Sequence, residues 1–215
     1  MSLRARPLLD GALRLLLVGS IAVGAVVWVH HLTEDRIAAQ QKLLQMRSLN
    51  TVLPPAFYNN DPLTDTLKIQ PPHSLHPRRE LTVYRARLDG QPSALALQLT
   101  AADGYNGDIQ LMVGIALDQS TGGSILGVRV IEHRETPGLG DKIERRVSPW
   151  VDDFAGRTLN DRWAVRKDGG DFDQFTGATI TPRAVVRAVS RALDYATTNR
   201  QRLFETPAKD VPPTQ

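Results

Sequence analysis

LTVYRARLDGQPSALALQLT, residues 81–100, decides the fold. Leu81–Leu88 alternates apolar and polar side chains, Asp89-Gly90 is a hairpin turn signal, and residues 93–100 alternate again. Two runs of period two joined by a tight turn predict an antiparallel strand pair. Toward the C-terminus, residues 109–117 and 124–132 form a second pair of β-rich runs separated by DQSTGG, and a further short strand is expected at residues 163–166. The period then changes. From Pro182 to about Arg202, Val185, Val186, Val189, Ala192, Leu193 and Ala196 make one apolar stripe, with Arg183, Arg187, Arg191 and Asp194 mostly on the other face. A helix laid on a small antiparallel sheet is an α+β domain.

Toward the N-terminus, residues 59–80 are rich in Asn, Asp, Pro and His and read as an irregular connection. Residues 33–53 read as a helix, with Thr33 as its cap, Glu34 and Asp35 in its first turn, and Pro54-Pro55 forbidding continuation. Upstream lies LLLVGSIAVGAVVWV, residues 15–29, without a charge. At about 1.5 Å per residue the run is shorter than the ~30 Å of a hydrocarbon core. Ala12, Leu13 and Leu32 lengthen it, Arg14 suits the head groups, and Trp28, His30 and His31 suit the opposite interface. A single uncleaved anchor over residues 12–32 is expected. A cleaved signal peptide is the rival, opposed by the lack of a small-x-small site before HHLTEDRI. A buried soluble helix is a further rival, opposed by the absence of a polar face.

The chain has 215 residues, 41% hydrophobic and 23% charged, which is enough for one packed domain and an appendage. The net charge is +3, but Arg4, Arg6, Arg14 and Asp10 precede residue 31, and the remainder is only one charge positive. No one-signed basic face for nucleic acid is expected. The absence of cysteine excludes disulfides, thiolate metal sites and a cysteine nucleophile.

No GxSxG, HExxH or Walker loop is present. His73-x-x-His76 lies among prolines and reads as a solvated loop. Asp152-Asp153 and Asp171-x-Asp173 read as solvated or amide-capping acids, so no metal site is expected. Chemistry concentrates in DFDQFTGATITP, residues 171–182. Pro182 suits the first helical position and Thr181 the N-cap. Thr176-Gly177-Ala178-Thr179 then puts two hydroxyls around two minimal side chains ahead of a helix start, an arrangement that favours a phosphate, with Arg183 near enough to add charge. A polar turn with an ordinary threonine cap fits the same residues.

Asp173-x-x-Thr176-Gly177-Ala178-Thr179 resembles D-x-x-[ST]-G-A-[ST], the acceptor pattern of FMN-binding domains modified by a flavin transferase. Such domains occur in the G subunit of the Rnf/Rsx electron transport complex and the C subunit of the Na+-translocating NADH:quinone reductase. Glu135-Thr136-Pro137-Gly138-Leu139-Gly140, set in EHRETPGLGDKI, is similar to the ETPGLG loop of the Rnf G-subunit family, and Gly104-Tyr105-Asn106-Gly107 to its GYxG turn. Thr176 stands where serine is commoner in the family. The resemblance runs from residue 12 to about 200.

The resemblance implies FMN esterified through its phosphate to Thr179, donated from FAD by the transferase. It also implies cofactor contacts from Asp173, Thr176, Gly177, Ala178, Tyr105, Glu135, Thr136, Gly138 and Leu139. Glycines of the TPGLG loop would bring backbone N–H groups to the flavin ring. The implied layout is a cytoplasmic N-terminus over 1–11, the anchor over 12–32, a helix and connection over 33–80, an FMN-binding domain over 81–203 and a loose tail over 204–215. The domain would face the periplasm from a bacterial inner membrane. It would relay electrons among cofactor-bearing membrane subunits of an ion-translocating complex, without activity on its own. The alternatives are a membrane-anchored scaffold without a redox role and a free-standing flavin reductase, the latter opposed by the lack of a dinucleotide fingerprint. Loss of Thr181, as a cap, is expected to cost about 1 kcal/mol and leave the flavin in place.

Overall fold

The computed structural model describes residues 5–70, 75, 81–118 and 122–206. The histidine pair at 73 and 76 and the tail beyond 206 lie outside these. The chain divides into two compact units, Met1–Met46 and Arg47–Gln215.

Helix α1 runs unbroken from Ala5 to Asn50. Thr33 therefore does not cap a helix start. It sits mid-helix, and its Oγ1 donates to the His30 carbonyl at 3.1 Å, the usual fate of a threonine with helical neighbours on both sides. Leu15, Leu16, Ile21, Val23, Val26 and Trp28 are all more than 60% exposed. Among the described residues no helix is long and apolar enough to cross a membrane. Residues 12–14, 29, 31 and 32, which the expected anchor includes, have side chains outside the described set.

The second unit is a five-stranded antiparallel sheet in the order β1-β2-β3-β4-β5, comprising Thr66–Ile69, Leu81–Leu88, Gln91–Gly104, Gly107–Ala116 and Ser124–Glu132. Strand β1 falls inside the stretch expected to be irregular. With four residues it is too short for alternation to signal, and pairing with β2 creates it. Asp89 (φ +52°) and Gly90 (φ +78°) make the turn between β2 and β3.

Helix α2, Ile180–Thr198, lays its stripe on the sheet, and Val185, Val186, Val189, Ala192, Leu193 and Ala196 are fully buried. A short α3, Arg200–Glu205, follows, so the single helix expected to about Arg202 is broken at Asn199. Leu49, Val52 and Leu53 are fully buried on the other side of the sheet. Gly114 makes room there, because a Cβ on it would collide with the Val52 backbone.

No strand forms at 163–166. Val165 makes a single parallel bridge to Phe172, because the chain loops tightly between them through Gly169 (φ +85°) and Gly170. In place of a strand, Trp150, Phe154, Trp163, Phe172 and Phe175 form a ring cluster, with centroids 4.6 Å apart for Phe154–Phe172 and 5.1 Å for Trp150–Phe175. This cluster is the floor beneath residues 171–179.

Candidate functional site

Three separated segments meet at the start of α2. The first is the hairpin tip between β3 and β4, where Gly104 pairs with Gly107 and Tyr105-Asn106 form the turn. The second follows β5. Leu139 N–H donates to the Thr136 carbonyl at 3.1 Å and Gly138 has φ +78°, the type II turn that Pro137-Gly138 predicts. The third is Phe175–Ala178, where Ala178 N–H donates to the Phe175 carbonyl at 3.1 Å across Gly177 at φ +80°. Trp150 supports this third segment from below, its indole N–H donating to the Asp173 carbonyl at 2.8 Å.

The segments are joined through one carboxylate. Glu135 is 5% exposed; its Oε1 accepts the Asn106 N–H at 3.1 Å and its Oε2 accepts the Thr181 hydroxyl at 2.5 Å. Asn106 also donates from its side chain to Thr136 Oγ1 at 3.2 Å. Two glycines leave space for the carboxylate. A Cβ on Gly104 would lie 2.9 Å from Oε1, and one on Gly140 2.8 Å from Oε2. Burying a carboxylate is costly unless its lone pairs are used, and here each oxygen has a donor.

This arrangement corrects the reading of Thr181. Helix α2 begins at Ile180, with Thr179 at the N-cap position, so Pro182 is third in the helix and Thr181 lies within its first turn. The Thr181 side chain is fully buried and turned to Glu135. The missed signal is the register: 181, 185, 188 and 192 lie on the helix's inward stripe.

Thr179 has helical backbone angles (φ −78°, ψ −24°) and makes no side-chain cap bond. Its hydroxyl is not spent on the helix. Pro182 has no N–H, and the amides of Ile180 and Thr181 donate to no group among the described residues, as is common for the first amides of a helix, and such amides can receive an anion. Gly177 and Ala178 add no bulk, while Leu139 lies beside Gly177, 3.5 Å from where a Cβ would be. Leu139 and Ile180, beside Gly177 and Thr179, are 41% and 46% exposed, and Tyr105 at the hairpin tip is 65% exposed. This donor set and open apolar rim fit a phosphate-linked flavin.

Other expected contributors point elsewhere. Arg183 does not add charge to the site. Its guanidinium makes two 2.6 Å bonds to Asp168 and holds that carboxyl below the usual range. Asp173 is exposed and pairs with Arg166 at 3.0 Å, while Asp171 pairs with Arg162. The N–H groups of Leu139 and Gly140 both go to the Thr136 carbonyl, so those two are not free to meet a ring. Thr176 is exposed at the turn.

Behind the loop, His133 Nδ1 accepts the Glu135 N–H at 3.0 Å and Nε2 faces Glu144 Oε1 at 2.6 Å. Among the described residues no group of histidine and acidic side chains is arranged to hold a metal ion.

The chain matches the FMN-binding domain family over residues 104–194 and the RnfG N-terminal region over residues 1–52. It is 50% identical over 203 residues to the G subunit of the ion-translocating oxidoreductase complex from Pseudomonas aeruginosa strain UCBPP-PA14, covering 93% of both chains. The protein of that name from Vibrio atlanticus strain LGP32 is 46% identical over 190 residues, covering 86% of this chain and 88% of the relative. Another, from Shewanella oneidensis strain MR-1, is 43% identical over 205 residues, covering 94% and 95%. Identity at this level along nearly the whole length is family membership: the chain belongs to the G-subunit family of ion-translocating oxidoreductase complexes and carries its FMN-binding domain.

Proposed function

We propose that the chain is a covalent flavoprotein component of an ion-translocating oxidoreductase complex, with FMN esterified to Thr179. The observation that carries this reading is the uncommitted Thr179 hydroxyl, held at a helix start with unpartnered amides inside an FMN-binding domain. Attachment balances as a phosphoryl transfer. The Thr179 Oγ forms a bond to the phosphorus of the FMN half of FAD, the pyrophosphate bond breaks, AMP leaves, and the hydroxyl proton passes to a base. Among the described residues His133 is engaged with Glu135 and Glu144 and no histidine bonds Thr179, so a separate flavin transferase supplies it. Gly177, Ala178 and the α2 amides would hold the phosphate, and Leu139, Ile180 and Tyr105 would border the ring. The bound flavin supplies one- and two-electron chemistry while the protein sets its position.

One flavin and one anchor move no ions, so the chain works beside other cofactor-bearing membrane subunits. Residues 12–32 anchor it, and the domain lies on the periplasmic side of a bacterial inner membrane. The exposed apolar side chains of α1 support this, since such a surface needs cover from lipid or protein.

Intact-mass analysis of the full chain, co-expressed with a flavin transferase, tests the attachment. Wild type is expected to gain FMN minus water and to fluoresce in a denaturing gel. Thr179→Ala is expected to fold and stay colourless, and Thr179→Ser to keep partial labelling. A fluorescent Thr179→Ala band, or a phosphoester mapped to another residue, refutes the assignment.

A further inference from the structure

We infer that Glu135 and Thr181 form a latch that presents Thr179 to the flavin transferase, and that Glu135 is a positioning residue rather than a cofactor ligand. The inference deepens the proposed attachment at Thr179 and rests on it.

Glu135 faces inward where the structure places it. Each of its oxygens already accepts one bond, from the Asn106 amide and from the Thr181 hydroxyl, Gly104 and Gly140 close around it, and little of it reaches solvent. Its effect on a flavin must therefore run through Thr181. That residue lies two positions after the acceptor, in the first turn of a helix that has no side-chain cap of its own. On the other side of Thr179, the Phe175–Ala178 turn is pinned by its own hydrogen bond and by Trp150 beneath it. Thr179 thus sits between two fixed points, one of which is the Thr181 hydroxyl. Without that bond the first helical turn keeps its apolar burial but loses the contact that fixes its rotation. A hydroxyl that must reach a phosphorus in line is sensitive to such a loss, because small misplacements of a reacting atom are costly.

The test uses the full chain, made without the transferase and purified in detergent, then given transferase and FAD while intact mass is followed over time. Near-ultraviolet circular dichroism checks that each variant is folded. Thr181→Val keeps the shape and removes the hydrogen bond, and its labelling rate is expected to fall about tenfold. Thr181→Ser restores the hydroxyl and is expected to stay within about twofold of the parent. Glu135→Ala, which also leaves the Asn106 amide without its acceptor, is expected to lose at least as much as Thr181→Val, and the double variant to lose no more than Glu135→Ala alone.

Labelling of folded Thr181→Val at the parental rate overturns the latch, as does an equal loss in Thr181→Ser. A purely structural bond would lower the melting temperature of Thr181→Val and leave its labelling rate unchanged, which also overturns it. Should Glu135→Ala fail to fold, the Thr181 pair decides alone. Thr179→Ala runs beside them: if it labels, the attachment site is wrong; if it does not and Thr181→Val labels normally, only the latch is wrong.

Discussion

Glu144 shows how a charge at the edge of the site is held. Arg146 hydrogen-bonds its carboxylate, and His133 Nε2 adds a second bond at 2.6 Å; together they lower its pKa from the ordinary 4.5 to about 2, Arg146 being the larger cause. Because His133 Nδ1 accepts the Glu135 N–H, Nε2 carries the proton and donates to Glu144. A carboxyl whose pKa falls on folding contributes stability that is complete above its unfolded value. That stability is lost as pH drops from about 4.5 to about 2. Arg146 is 79% exposed, so solvent screens the pair and the contribution is small. Glu144→Gln is therefore expected to flatten the acid limb of the stability profile over that window and to leave stability at pH 7 lower by the same small amount. Urea titrations at pH 7, 4 and 3 measure both. An unchanged acid limb would show that the Arg146 and His133 contacts add nothing.

At the scale of elements, the sheet depends on two glycines that face the end of α1. A Cβ on Gly114 would run into the Val52 carbonyl, which is backbone and cannot swing aside, whereas one on Gly127 would lie 3.2 Å from the Thr51 carbonyl. Gly114→Ala is expected to cost about 2 kcal/mol or more, and Gly127→Ala clearly less. Equal losses in chemical denaturation would mean that strand propensity, not the close approach, sets the cost.

These glycines also mark the limit of what the sequence discloses. Strands β2 and β3 were legible from alternation and the Asp89-Gly90 turn, β4 and β5 from β-rich composition, and the stripe of α2 from its helical period, which its burial follows. β1 was not, since four residues cannot establish a period, and the strand expected at 163–166 failed because a tight local loop overrides β-propensity. At the site, the motifs named the segments, but not that a buried carboxylate joins them. Thr181 was legible only as a cap, because residue type favours capping, while the register that turns it inward depends on where α2 begins.

At the scale of the whole molecule, the flanking charges bear on the proposed orientation in the membrane. The flanking charges nearly tie: Arg4, Arg6 and Arg14 precede the apolar run, and Arg36, Lys42 and Arg47 follow within about twenty residues. The first set lies closer to the run, which tilts the balance toward an inward N-terminus. An acceptor hydroxyl on an exposed rim also needs a transferase on its own side of the bilayer, so topology and flavin loading are one question. On the proposed topology, with residues 12–32 as anchor and the N-terminus inside, everything after residue 32 would be periplasmic, including the C-terminus. An alkaline phosphatase fused after Gln215 of the full chain is expected to be active in intact cells, and a cytoplasmic reporter at the same place to be silent. Replacing Arg4, Arg6 and Arg14 with Gln removes the charges that favour this orientation and is expected to lower phosphatase activity. Activity of the cytoplasmic reporter alone in the parent chain would reverse the topology and place the Thr179 acceptor on the inner face.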